Sequence, residues 1–297
     1  MYREQSEMRE GRMKIAIASG KGGTGKTFVS TNLFWVAAQK GIDCVLADCD
    51  AEEPNVAEFI AGENEQVDEV YQQVPVIDPE RCTFCGLCYE YCSYNAILYL
   101  PEKRMIQVLP DLCHDCGACS YACQAGAITE HPKLLGRVMR AAYGAAQHLV
   151  EGRAEVGVYT PVPVITHAIC EAGDRELVLL DSPPGISCPF IATVDRVDYV
   201  VLVTEPTPFG LHDLKLSAAT VRQLDKPFGV VVNRAGLGDN EIYRWLEQES
   251  IPLLLEIPFD REVARIYAEG GLPAAVDDSY REMFNRLLTQ IVQPSII

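Results

Sequence analysis

No apolar run in this 297-residue chain reaches the roughly 18 residues that a membrane-spanning helix needs. A secretory leader is not to be seen either, because residues 1–12 are charged and contain no apolar core. Basic residues are scarce: Lys plus Arg number 25 against 42 Asp plus Glu, a net charge of −17. That balance keeps a protein soluble and works against binding a polyanion such as DNA. Residues 279–297 lack the basic amphipathic character that holds a peripheral protein on a membrane. These absences predict a cytoplasmic protein with neither nucleic acid nor membrane as a partner.

Cysteine, by contrast, is plentiful, at 12 residues. In a small secreted chain that number would predict disulfides, but here the expected compartment is reducing and the thiols are free to bind metal. Eight of them form two runs, Cys82-x2-Cys85-x2-Cys88-x3-Cys92 and Cys113-x2-Cys116-x2-Cys119-x3-Cys123. A short loop of this spacing gives three thiolates to one iron–sulfur cluster, and in two-cluster ferredoxins the fourth comes from the other run. The pattern therefore assigns Cys82, Cys85, Cys88 and Cys123 to one [4Fe–4S] cluster, and Cys92, Cys113, Cys116 and Cys119 to a second. Paired Cys-x2-Cys is also zinc spacing. Two matching runs, each with glycine after its second cysteine (Gly86, Gly117), favour clusters over zinc. The proline that usually follows the fourth cysteine is missing: Ser93 and Gln124 stand there instead. Each restores an N–H beside a cysteine, which predicts cluster potentials above those of a proline-bearing version.

Six apolar runs, at residues 14–18, 44–47, 177–180, 199–204, 229–233 and 253–257, are nearly continuous rather than alternating. Strands buried on both faces of a parallel sheet read this way. Helical periodicity separates most of them, at residues 26–40, 211–224 and 262–269. The expected fold is α/β, a doubly wound, mostly parallel sheet. Residues 75–130 break the rhythm. They are rich in cysteine and proline and repeat internally with an offset of 31 positions. They are expected to form a small inserted α+β domain of bacterial-ferredoxin type. Residues 13–74 and 131–297 would make one discontinuous domain, preceded by an extension, 1–12. A helix is expected near residues 134–149.

Between the first apolar run and the first helix lies Gly20-Lys21-Gly22-Gly23-Thr24-Gly25-Lys26-Thr27, a phosphate-binding loop in the strand–loop–helix context it requires. Its N–H groups and the helix N-terminus would cradle phosphates. Lys26 would reach the β- and γ-phosphates of ATP, and the Thr27 hydroxyl would ligate Mg²⁺.

The early lysine makes the pattern Lys-Gly-Gly-x-Gly-Lys-Thr, which resembles the deviant phosphate loop of the MinD, ParA, Mrp and nitrogenase iron protein superfamily. Three further pieces fit the resemblance: Asp48-Cys49-Asp50 as the first switch, Leu180-Asp181-Ser182-Pro183-Pro184-Gly185 as the Walker B strand and second switch, and the segments Val232-Asn233-Arg234 and Ile257-Pro258-Phe259-Asp260 facing adenine. The resemblance covers residues 13–74 and about 177–297. It implies a homodimer sandwiching two Mg·ATP, with Lys21 and Lys26 on the phosphates, Lys21 reaching across the dimer, and Asp50 orienting the attacking water. It also implies Asp48 and Asp181 with Thr27 at Mg²⁺, and Asn233, Arg234 and Pro258 beside the base.

Of the other cysteines, Cys44, Cys49 and Cys170 read as buried small hydrophobes. Cys188 follows Asp181 by seven positions, where the nitrogenase iron protein has a cluster-bridging cysteine, and is a candidate extra thiol site. The whole chain resembles MinD-superfamily ATPases with an inserted two-cluster ferredoxin domain. The leading expectation is ATP hydrolysis coupled to electron transfer, with a redox or Fe–S acceptor protein as partner. An Fe–S carrier of the Mrp type is the alternative, and a positioning ATPase with sensing clusters comes third.

Overall fold

Strand and helix alternate along most of the chain in the computed structural model, which describes residues 11–292. In chain order the elements are β1 (Met13–Ala18), α1 (Lys26–Gln39), β2 (Cys44–Asp48), β3 (Glu63–Ile77), α2 (Leu87–Glu90), β4 (Ile97–Leu100), β5 (Met105–Val108), α3 (Ala118–Ala122), β6 (Ile128–Tyr143), β7 (Gln147–Ala154), α4 (Val162–Ala172), β8 (Leu177–Asp181), α5 (Cys188–Val194), β9 (Tyr199–Thr204), α6 (Pro208–Gln223), β10 (Phe228–Ala235), α7 (Glu241–Gln248), β11 (Leu253–Pro258), α8 (Arg261–Ala268), α9 (Pro273–Val276) and α10 (Asp278–Val292).

Nine strands form one sheet in the order β11-β10-β9-β1-β8-β2-β7-β6-β3. Every pairing from β11 to β7 is parallel. Parallel strands buried on both faces need continuous apolar sequence. Accordingly β2 and β8 are buried along their whole length and β1 and β9 along most of it. Helix α1 packs on β1, β2 and β8 and beneath α10, with the Phe28 and Phe284 rings 5.9 Å apart. Burying a Phe or Leu side chain of this kind is worth about 1.5–3 kcal/mol. The polar groups on its buried turns are all engaged: Thr31 Oγ1 donates to the Thr27 carbonyl at 2.6 Å, and Asn32 Nδ2 to the Phe28 carbonyl at 2.8 Å. Asn32 Oδ1 accepts the Ala274 N–H, so helix α9 is tied to α1 as well. These bonds fix the helix whose first residues are Lys26 and Thr27.

The helix expected at residues 134–149 does not form. Strands β6 and β7 occupy that stretch, joined by a turn at residues 144–146. Leu134, Leu135, Val138 and Ala141 have helical spacing, but β7 lies in register beside β2, from Cys44↔Gln147 to Asp48↔Glu151, and that ladder outweighs local preference. A connection so short permits only an antiparallel neighbour. The domain limits differ from the expected ones too. One compact unit comprises the described residues up to Asp68, with 138–153 and 162–292; the other is Glu69–Arg137 with Ala154–Pro161. The boundary falls inside β3 and β6 rather than at residues 75 and 130, because each of these strands continues across it.

The smaller unit has an internal two-fold pattern. Strands β4 and β5 pair as an antiparallel hairpin between its halves. Helices α2 and α3 each begin after a left-handed glycine, Gly86 and Gly117. The Asp78 N–H donates to the Ala127 carbonyl at 2.8 Å, and Leu109, 31 positions on, donates to Ala96 at 2.7 Å. Each half thus closes on the other by the same bond.

Candidate nucleotide and metal sites

The loop from Gly20 to Gly25 lies between the end of β1 and the start of α1, with Lys26 buried and Thr27 partly exposed at the first turn of the helix. Gly25 has φ +98°, and a Cβ there would meet Asn233 Nδ2 at 2.3 Å. No other residue fits. Asn233 itself donates Nδ2–H to the Thr24 carbonyl at 2.8 Å and accepts the Arg234 N–H on Oδ1 at 2.9 Å. Expected beside the base, its side chain also braces the phosphate loop. Arg234 pairs with Glu205, and Pro258 ends β11 opposite Ala235.

Glu205, a buried acid just past β9, escaped sequence reasoning. Its signal was an acidic residue closing an apolar strand. The Lys21 Nζ lies 3.8 Å from Glu205 Oε2, so the carboxylate receives both Lys21 and Arg234.

Asp181, at the end of β8, is 1 % exposed, and neither of its oxygens has a hydrogen-bond partner among the described residues. Burial pushes its pKa up, while the Lys26 charge pulls it back. A buried carboxylate with unengaged oxygens beside a lysine and the Thr27 hydroxyl fits a hard cation with phosphate oxygens. Mg²⁺ would be held there by Thr27 and Asp181. Asp48, expected at the same cation, is tied to the segment that follows β2. Its Oδ1 accepts the Asp50 N–H at 3.0 Å, and its Oδ2 accepts those of Asn55 and Val56 at 2.8 and 3.0 Å. Both oxygens thus help to fasten the segment after β2. Burial, then the neighbouring Asp181, push Asp48 up as well. Asp50 is raised to about 6, by burial first, with Lys26 opposing. Cys49 between them is wholly buried. Gly185 donates its N–H to the Ser19 carbonyl at 3.0 Å, which joins the segment after β8 to the phosphate loop.

The eight motif cysteines gather around two cavities. Cys82, Cys85, Cys88 and Cys123 line one, and Cys92, Cys113, Cys116 and Cys119 line the other. Among the described residues no three cysteine sulfurs lie within 4.8 Å of one another. A tetrahedral zinc with bonds of about 2.3 Å needs sulfurs roughly 3.8 Å apart. In every trio of motif cysteines at least one pair is therefore wider than such a site allows. Burial raises the pKa of Cys88, Cys113 and Cys119, partly offset by nearby backbone N–H groups, so loading metal would release protons. The N–H bonds to the fourth cysteines come from Ala96 to Cys92 and Ala127 to Cys123, each at 3.3 Å, and not from Ser93 or Gln124. The chain curls back by four residues and brings a later amide to each sulfur.

Cys188 is exposed and opens helix α5. Cys44 is buried, but Cys170, expected inside, is exposed on α4, whose inward positions are Val164, Ile165, Ala168 and Ile169. Asp68, His167 and Glu171 bring ligand-type atoms within 4.8 Å of one another, but Arg140 already bridges the two carboxylates at 2.6 and 2.8 Å. That cluster is an ion-pair network.

A parallel sheet with a phosphate loop, a buried carboxylate on the adjacent strand and switch segments joined to the loop is the machinery of a P-loop ATPase. Residues 15–274 match the CobQ/CobB/MinD/ParA nucleotide-binding domain, and the chain belongs to that family. An uncharacterized protein of Methanocaldococcus jannaschii is 30% identical over 93% of this chain and 96% of its own length. An iron-sulfur cluster carrier protein of Pyrococcus abyssi is 22% identical over 88% of this chain and 79% of its own. Among solved structures, the cell division ATPase MinD of Pyrococcus furiosus superposes with a TM-score of 0.59 at 20% identity, covering 96% of this chain and 100% of that one. The chain is thus an ATPase of α/β fold, related to proteins named as iron–sulfur carriers. No helix among the described residues is long and apolar enough to cross a membrane.

Proposed function

We propose that this ATPase couples Mg·ATP binding and hydrolysis to electron transfer through two [4Fe–4S] clusters held by the smaller unit, a ferredoxin-like insertion. The observation that carries the reading is the sorting of eight cysteines into two four-cysteine cavities, in neither of which three sulfurs come within 4.8 Å of one another. Lys26 and Thr27 hold the phosphates and their magnesium, Asp181 completes the cation site, and Asp50 orients water at the γ-phosphate. Lys21, released from Glu205, reaches the nucleotide of a second copy in a homodimer. Asn233 acts by holding the loop, Arg234 through Glu205, and Pro258 by shaping the base pocket. When loaded, the clusters supply one-electron storage. The chain's own residues bind them, limit water and set their surroundings.

Anaerobic purification tests this directly. A brown protein with about eight iron and eight sulfide per chain is expected, with a rate of ATP hydrolysis that differs between oxidised and dithionite-reduced states. A colourless protein, or one containing zinc, overturns the reading. Carriage of clusters to another protein is the second reading, favoured by the relatives named iron-sulfur cluster carrier protein. Transfer of iron and sulfide to an apo-acceptor, with hydrolysis indifferent to redox state, would select it.

A further inference from the structure

The internal repeat permits a position-by-position comparison of the two cysteine cavities, and they are not alike. Apart from its cysteines, the cavity of Cys82, Cys85, Cys88 and Cys123 has no ionisable side chain in its wall. Its counterpart is walled by His114, Asp115 and Glu130. At the equivalent positions, 31 residues earlier, stand Thr83, Phe84 and Tyr99. Tyr99 donates its hydroxyl to the Phe84 carbonyl at 2.6 Å, whereas Glu130 accepts the Ser120 hydroxyl at 2.6 Å and Asp115 accepts the Gln73 N–H at 2.8 Å. Positive charge is distributed the other way. The Arg104 guanidinium lies 5.0 Å from the Phe84 ring centre, and that of Arg81 lies against Gly126, three residues past Cys123. Their counterparts in the other half are uncharged, Gln73 and Leu112.

Two effects act on a centre that gains an electron. Solvent access favours the added negative charge, while fixed charges favour or oppose it by their sign. Solvent access differs less: Cys85 and Cys116 are both exposed and Cys82 and Cys113 both partly so, and only Cys88, buried where Cys119 is partly exposed, separates the two sets. The charged groups differ in sign, two carboxylates in the wall of one cavity and two guanidinium groups beside the other. Charge therefore decides.

Resting on the cluster reading above, we propose that the two centres are unequal. The first electron from a one-electron reductant settles at the site of Cys82, Cys85, Cys88 and Cys123. The second goes to the site walled by Asp115 and Glu130, which is the lower-potential centre and the one from which an electron leaves for an acceptor. Each step oxidises one equivalent of reductant and reduces one core by one electron; no covalent bond forms or breaks and no proton is required. Asp115 and Glu130 act as electrostatic determinants of direction.

The test is an equilibrium dithionite titration of the loaded full-length chain, followed by visible absorbance and electron paramagnetic resonance, at pH 8.5 where an imidazole is neutral. Two resolved one-electron steps are expected. Glu130→Gln keeps an acceptor for Ser120 and should raise the lower step while leaving the upper one in place. Asp115→Asn, compatible with the left-handed φ of +53° at that position, should do the same. Arg104→Gln should lower the upper step alone. Two clusters that titrate together in the unaltered protein, or a Glu130→Gln variant that moves both steps equally or neither, overturn the proposal while the cluster reading stands. A protein without clusters removes both.

Discussion

At the residue level, the chemistry of the nucleotide site is concentrated in buried carboxylates that share one cation, Lys26. Asp181 is enclosed with unengaged oxygens, and Asp50 has a pKa lifted to about 6. An ordinary aspartate titrates near 4, so the folded chain holds this proton more tightly than the unfolded one. The stability contributed by protonated Asp50 is present below about pH 4 and is lost as the pH rises through about 6. Chemical unfolding of the nucleotide-free protein should show stability falling across that window, and Asp50→Asn should reduce the slope, with Asp48 and Asp181, also raised by burial, supplying the rest. A slope unchanged in the variant would assign it to other groups. Asp181→Asn relieves the burial of a carboxylate but leaves the buried Lys26 without that partner, so the stability of the nucleotide-free protein at pH 7.5 should change little. The substitution should abolish the added stabilisation by Mg·ADP, measured as a thermal shift. Retention of that shift would place the magnesium elsewhere.

Individual elements differ in how far their sequence announces them. Strands β1, β2, β8, β9 and β10 were legible because burial on both faces demands uninterrupted Val, Ile and Leu, and α1 because a phosphate loop must feed a helix. Strands β3 and β6 were not. Strand β3 mixes exposed polar residues with exposed Val67, Tyr71 and Val76, and β6 contains Pro132, Gly136 and apolar residues at helical spacing. Pairing across the sheet, a long-range fact, decides them. The same division runs through the sites: the cysteine spacing named which sulfurs share a cavity, but Glu205 and the bracing role of Asn233 depend on neighbours 29 and 209 positions away. Where local geometry rules, the repeat makes a sharper comparison possible. Gly86 and Gly117 both have positive φ, so alanine at either should cost about 1–2 kcal/mol. A Cβ on Gly86, however, would also meet the Tyr99 ring at 2.7 Å, whereas on Gly117 it meets nothing nearer than 3.8 Å. Gly86→Ala should therefore reduce iron content more than Gly117→Ala. Equal losses would mean that backbone conformation alone sets the cost.

Considered as a whole, the molecule distributes its hydrophobic core unevenly. The larger unit buries entire strands together with Phe28, Phe34, Phe190 and Phe284. In the smaller one the buried apolar side chains are Val70, Val74, Cys88, Ala96, Ile97, Ala127 and Leu135, most of them small. A unit with so little core draws stability from bound metal, whose ligation energy becomes folding energy. Two such units should also not unfold as one. Removing iron with a chelator under anaerobic conditions should leave the main cooperative transition within a few degrees of its position in the loaded protein. It should also make the stretch from Glu69 to Arg137 rapidly exchanging in hydrogen–deuterium measurements, while β1, β2, β8 and β9 stay protected. If that stretch remains protected after the iron is gone, its fold is self-sufficient and the cysteines were never needed to hold it.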